Sequence, residues 1–130
     1  MNEPYSKGIN NATKSQLSVK TFTHDAIRIA SVLNRHRIYY TLEWTVPRYG
    51  EYTNGGILKT YSLDILVHDP RYETVAIEVE GAGSSSKDND KRDAYLSTLG
   101  IRVLHVDNKV SGDEVLVRLN GSFRKKESLP

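Results

Sequence analysis

Residues 61–81 read YSLDILVHDPRYETVAIEVEG, two short apolar strands joined at Asp69-Pro70, where proline fixes φ and removes a ladder donor. Side chains alternate along a strand, so Leu63, Ile65 and Val67 are expected on one face, with Asp64 turned the other way. On the second strand Val75, Ile77 and Val79 share one face, and Ala76, Glu78 and Glu80 share the other. If the strands pair as a hairpin, Asp64 joins Glu78 and Glu80. Three carboxylates gathered at one end of an apolar hairpin repel one another unless a cation or protons intervene.

The rest of the chain supplies the layers around this hairpin. A helix is predicted from about Thr23 to Asn34, with Thr23 as cap, Asp25 in the first turn, and Ala26, Ile27, Ala30 and Leu33 as its apolar stripe. Ile38 to Val46 alternates as a half-buried strand, with Ile38, Tyr40, Leu42, Trp44 and Val46 on one side, and Pro47 is expected to end it. Arg48 to Thr60 holds Tyr49, Gly50, Tyr52 and the turn sequence Asn54-Gly55-Gly56. That segment either caps a hairpin into the Asp64 strand or forms a loop whose tyrosines, with Arg48 and Lys59, contact a nucleic acid. After the link at 81–86, a helix is expected from about Lys87 to Leu99, with Ala94, Tyr95 and Leu99 as its apolar face and Gly100 as its stop. Ile101 to Val106 is apolar on both faces and is expected inside the sheet. Ser111 then caps a last helix through about Leu119. The division expected is a mobile polar arm over 1–20, one α/β domain over 21–120, and a mobile basic tail over 121–130.

At 130 residues the chain has the size of one domain able to bury its own core. With no cysteine, disulfides and cysteine-based zinc sites are excluded, and a reducing cytoplasm is compatible. No apolar run approaches the roughly 20 residues of a membrane span, and the first residues lack the apolar core of a signal peptide. The expectation is a soluble, cytoplasmic protein without a membrane partner. The formal net charge is only +2, yet it is unevenly placed. Acids gather at the hairpin and at Asp88, Asp90 and Asp93. Bases gather at Arg35-His36-Arg37, at Lys87, Lys91 and Arg92, and at Arg124-Lys125-Lys126. An acidic cluster with basic flanks suits a metal-assisted site for a phosphodiester, while each charge run by itself is also what a solvated face looks like.

The residues Leu63-Asp64-Ile65, Ile77-Glu78-Val79-Glu80-Gly81, Asp90 to Leu96 and Leu99 to Leu104, in this order and spacing, resemble the PD-(D/E)xK nuclease superfamily, whose fold is also called restriction-endonuclease-like. The resemblance is nearest the branch of very-short-patch-repair-like endonucleases and spans roughly Tyr61 to Leu119. It implies an α/β single domain with a central mixed β-sheet flanked by helices. It also implies a DNA endonuclease, acting on duplex or branched DNA and often as a homodimer. By the same resemblance Asp64, Glu78 and the backbone carbonyl of Val79 would hold Mg2+ or Mn2+, and Glu80 would ligate an ion or accept a proton from the attacking water. Lys87 and Arg92 would stabilise charge at the phosphorus. Asp25 would be the helix acid that many relatives carry, with Glu43 competing for that place. The superfamily motif has lysine where this chain has Glu80. The related branch often has a histidine just past the glycine, where this chain has none before Lys87; Lys87 is the candidate to supply the missing positive charge. His24, His36, His68 and His105 lack metal-ligand spacing and receive no catalytic role. Loss of the motif lysine also motivates a non-catalytic nucleic-acid-binding module, or a subunit that needs a partner. A regulatory domain whose acids serve a partner protein is the third expectation.

Overall fold

The computed structural model describes residues 24–81 and 86–126. The expected arm over 1–20, the Thr23 cap and most of the 81–86 link lie outside the described residues. Within them the order is α1 (His24–Arg35), β1 (Tyr40–Tyr52), β2 (Leu58–Val67), β3 (Val75–Glu80), α2 (Ser86–Thr98), β4 (Arg102–Asp107) and α3 (Gly112–Ser122). The four strands form one mixed sheet in the order β1-β2-β3-β4. The first three strands run antiparallel to their neighbours, and β4 returns parallel to β3 through the α2 crossover.

Helices cover both faces of the sheet. On one face α1 and α3 close a core of Ile29, Leu33, Ile65, Val67, Val75, Ile77, Val106, Val115 and Leu119. On the other, α2 lays Leu96 against Val46, Leu63, Leu66 and Ala76. This two-sided cover explains why Ile101 to Val106 is apolar on both faces although β4 is an outer strand rather than an interior one. On α1 the buried face is Ala26, Ile29, Ala30, Val32 and Leu33, so Ile27, expected in the stripe, stands exposed. Among the described side chains of α2 only Leu96 is fully buried, and the expected Ala94 and Leu99 are exposed. Ser111 caps α3 as expected, its Oγ accepting from the Glu114 N–H at 3.1 Å.

Three departures from the expected pattern have local causes. Leu63 does not share a face with Ile65 and Val67: it packs under α2, whereas they pack under α1 and α3. The same reversal occurs across the ladder, where Leu42 belongs to the first core and Val46 to the second. Between them Glu43 takes a positive φ of 56°, which flips the alternation of β1 while the register to β2 stays constant on either side. Trp44, expected inside, is 45% exposed. Second, Pro47 does not end β1. It sits opposite Thr60 on an outer strand, where a missing N–H costs no ladder bond on the solvent side. The strand continues past a register shift that contains Gly50, φ +89°, to a turn closed by Thr53 N–H to Ile57 O at 2.7 Å and Gly56 N–H to Thr53 O at 2.9 Å. The Asn-Gly-Gly run therefore caps a hairpin. Third, the first part of the segment expected as a mobile tail is docked, residues 127–130 lying outside the described residues: α3 reaches Ser122, Phe123 is buried, and Arg124 bridges Tyr72.

The Asp69-Pro70 turn is held by the Asp69 carboxylate, which accepts from the N–H groups of Tyr39 and Arg71 and from the Arg71 guanidinium. The guanidinium holds the Asp69 pKa well below the usual carboxylate range. No helix among the described residues is long and apolar enough to cross a membrane.

The α1–α3 contact is tightest at Gly112, where an added Cβ would collide with the Val32 side chain and lie 3.3 Å from the Arg28 carbonyl oxygen. Gly112→Ala should destabilise the fold by about 1–3 kcal/mol through overpacking, read as a lower urea midpoint at unchanged slope. In a Val32→Ala background the same change should cost less, so the double variant falls short of the sum of the singles.

Candidate functional site

β2 and β3 pair only over Ile65–Val67 and Val75–Ile77. One residue beyond that ladder, at Asp64 and Glu78, the strands part, and backbone groups there lose their ladder partners. The two acids replace them. The Asp64 N–H donates to Glu78 Oε2 at 2.9 Å, and the Val79 N–H donates to Asp64 Oδ2 at 2.9 Å. Each carboxylate thus caps the other strand. Val79, expected through its carbonyl, takes part through its N–H.

This lock sits largely out of water. Glu78 is 4% exposed; burial first, then the Asp64 charge, push its pKa up to about 7, against the Asp64 N–H, Arg92 and His105. Burial also raises the Asp64 pKa, against the Val79 N–H and Arg92. Arg92 comes from α2, its Nη1 3.1 Å from Glu78 Oε1, and its Nη2 lies 3.4 Å from Asn89 Oδ1.

Glu80 does not turn to Asp64 and Glu78. Its Oε2 accepts from Asn89 Nδ2 at 3.2 Å and meets His105 Nδ1, while His105 Nε2 meets Asp93 Oδ2. Parallel pairing places His105 beside Glu78 in the β3–β4 register. Both ring nitrogens face carboxylate oxygens, which accept only, so the doubly protonated imidazolium satisfies both contacts. Burial pulls the His105 pKa down, but the hydrogen bonds and charges of Asp93 and Glu80 outweigh it and raise the pKa. Arg92 Nε and Asp93 Oδ1 are buried, face each other at 3.8 Å and lack hydrogen-bond partners.

The structure therefore brings together Asp64, Glu78, Val79, Glu80 and Arg92 of the expected residues. It adds His105, Asp93 and Asn89. Three expected residues stay apart from this network. Lys87 is exposed in the first turn of α2. Asp25 pairs with Arg28 at 3.2 Å, and that guanidinium donates to the carbonyls of Val110 and Asn108 beyond β4. Glu43 is exposed on the outer strand. Tyr95 ties α2 to the long β1–β2 hairpin, donating to Pro47 O at 2.7 Å and accepting from the Tyr49 N–H at 3.3 Å. Arg48, a nucleic-acid contact in one of the two alternatives for its segment, is engaged by Glu51 and the Tyr61 ring.

The spacing of the histidines alone does not reveal His105. The signal that could have found it is the parallel crossover, which sets the Ile101–Val106 strand beside the glutamates.

A comparison with protein families, with curated proteins and with solved structures returned no match. Among the described residues no group of three or more histidine, aspartate and glutamate side chains is arranged to hold a metal ion. The donor chemistry at the lock nevertheless fits a hard divalent cation. Asp64 and Glu78 offer oxygen donors, the type a hard divalent cation takes, against one facing guanidinium, while Glu80 and Asp93 are engaged by His105.

Glu78 gives the site a pH signature. Its pKa is about 7 folded against 4.5 for the free side chain, so between these values the folded state binds more protons than the unfolded chain. Stability therefore falls as pH rises through that window, by up to about 3 kcal/mol at roughly 1.4 kcal/mol per pKa unit. The raised pKa values of Asp64 and His105 give the same sign, His105 acting above its free value of 6.5, and the lowered one of Asp69 acts only at lower pH. Urea unfolding of the wild type from pH 5 to 8 should show this decline, and Glu78→Gln should flatten it between pH 5 and about 6.5, below the range where His105 adds to it. A variant profile parallel to the wild type would place the effect elsewhere.

Proposed function

We propose that this chain is a metal-dependent DNA endonuclease of the restriction-endonuclease-like fold, hydrolysing phosphodiester bonds at the Asp64–Glu78 lock. The observation that carries the reading is that lock: two acids from adjacent strands, fixed by each other's backbone and facing a helix arginine. The element order supports it too. A helix, a three-strand meander, a crossover helix and a parallel fourth strand agree with the architecture that the resemblance implies.

Asp64 and Glu78 would be the residues that hold the ion. A bound Mg2+ or Mn2+ would supply positive charge at the phosphate and a lowered water pKa. The chain's own groups have separate tasks. The backbone N–H of Val79 orients Asp64, and that of Asp64 orients Glu78. Arg92, held between Glu78 and Asn89, is placed to move its positive charge onto a phosphate oxygen. His105 brings a cation to the neighbourhood of Glu80, where the superfamily motif has its lysine, and keeps Glu80 and Asp93 fixed. In this reading Glu80 positions His105 rather than ligating an ion. Lys87, exposed at the start of α2, is left for contact with the DNA backbone.

A second reading is favoured by one observation. Arg92 already occupies Glu78 Oε1, and His105 already occupies Glu80, as expected of a non-catalytic nucleic-acid-binding module or of a subunit activated by a partner.

Supercoiled plasmid and branched oligonucleotides, incubated with Mg2+ or Mn2+ and separately with EDTA, decide between them. The wild type should nick or linearise DNA only with metal, and Asp64→Ala should lose about a hundredfold or more of the rate, the scale of several kcal/mol of transition-state stabilisation. No cleavage by the wild type, with DNA bound equally by both proteins, would overturn the enzyme for this chain alone.

A further inference from the structure

At the end of the sheet away from the carboxylates, the fold gathers cations from three distant parts of the chain. Arg71, in the β2–β3 turn, donates through NH2 to the Arg37 carbonyl at 2.8 Å, just after α1. Its own carbonyl accepts from the Lys125 N–H at 2.9 Å, just after α3. Arg124 bridges Tyr72 and lies over its ring at 5.5 Å. Arg35, Arg37, Arg71, Arg124, Lys125 and Lys126 are all exposed. Of these Arg71 is matched by Asp69, and Arg35 weakly by Asp113 at 3.8 Å. Among the described residues no carboxylate pairs with Arg37, Arg124, Lys125 or Lys126. Holding like charges together at one end is unfavourable without an anionic partner.

We infer that this end is a docking surface for a nucleic-acid phosphate backbone, separate from the carboxylate lock. The chemistry selects that partner over an anionic lipid surface. The cations are mostly guanidiniums, which clasp phosphate oxygens through two N–H groups. The large exposed ring beside them is Tyr39, whose N–H is tied to Asp69, a side chain suited to stacking on a base. Among the described residues the exposed large apolar side chains on α1 and α3 are the single residues Ile27 and Val117, not the continuous apolar face that insertion into a lipid interface requires. From Asp64 to Asp69 the chain is nearly extended, about 3.3 Å per residue, so the patch and the lock are roughly 15–20 Å apart. One nucleic acid can touch both within about five nucleotides at 3.4 Å each. The surface does not depend on hydrolysis and would serve a binding module equally.

The test is equilibrium binding of a fluorescent 20-base-pair duplex in EDTA, titrated across salt, for the wild type and for Arg37→Asn/Lys125→Gln/Lys126→Gln. Asparagine suits the positive φ of Arg37. The triple variant should bind about tenfold or more weaker at 0.1 M salt. The slope of log K against log salt should shrink by about 2–3, near 0.9 per lost phosphate contact. Circular dichroism and the thermal midpoint check that it folds; if it does not, Lys125→Gln/Lys126→Gln, which leaves Arg37 in place, should shrink the slope by about 1–2. An unchanged slope and affinity in the folded variant would overturn the surface. So would wild-type protein that binds phosphatidylserine vesicles and not the duplex.

Discussion

Where β2 and β3 part, one backbone N–H on each strand is left without a ladder partner, and burial makes an unpaired amide costly. Asp64 and Glu78 answer that requirement with their own carboxylates, each accepting from the other's strand. Because the acids are structural at this point, they cannot retreat into solvent. Burial raises both their pKa values, and Arg92 is drawn in from α2 to offset part of the charge. The chemistry of the site is thus a consequence of a sheet that opens at one end. A flush β2–β3 ladder would have used those N–H groups itself and turned the carboxylates away.

The same opening organises the rest of the sheet. β1 and β2 continue well past the point where β3 leaves, so their far half has only α2 to pack against. The reversal at Glu43 turns Val46 and Leu63 toward that helix, and Tyr95 ties the hairpin to it by hydrogen bonds to Pro47 and Tyr49. Pro47 and the kinked backbone at Glu43 also blunt the free side of β1, an outer strand that would otherwise offer a long template for pairing. α2 therefore serves two masters: Leu96 anchors the hairpin half, and Arg92 and Asp93 reach the acids of β3.

How much of this was legible in the sequence depends on range. Period-two alternation over 75–80 was enough to place Ile77 in the core and Glu78 and Glu80 opposite it, and the Ser111 cap followed from local spacing. Asp64 and Glu78 were identifiable because two strands and one turn suffice to bring them together. Leu63 was misplaced because the kink that turns it originates at Glu43 on another strand. Ile27 was misplaced because a 3.6-residue stripe tolerates rotation by one position, and the contact with α3 decides which. Phe123 read as tail because its burial depends on Tyr72 and Arg102, far away in sequence. Glu80 was expected to face Asp64, and its true partner, His105, lies across a parallel pairing whose register no local pattern reveals.

The balance of charge inside the site leads one step further. Glu78 Oε1 cannot serve Arg92 and an external cation at the same time without sharing. The position of Arg92 is set by α2, and α2 is held to the sheet beside it by the Asp93–His105–Glu80 chain and the Asn89–Glu80 bond. Those links run through a histidine and carboxylates at the partly exposed rim, not through the fully buried lock. In the proposed nuclease an anion arriving at the rim would compete for the guanidinium and imidazole, and a cation for the carboxylates. Both displacements would loosen the same helix, and each would relieve the charge that the other leaves behind. A polyanion that drew Arg92 away would leave Glu78 Oε1 to a cation, and a cation on Glu78 would free Arg92 for the polyanion, so the two would bind cooperatively through Arg92.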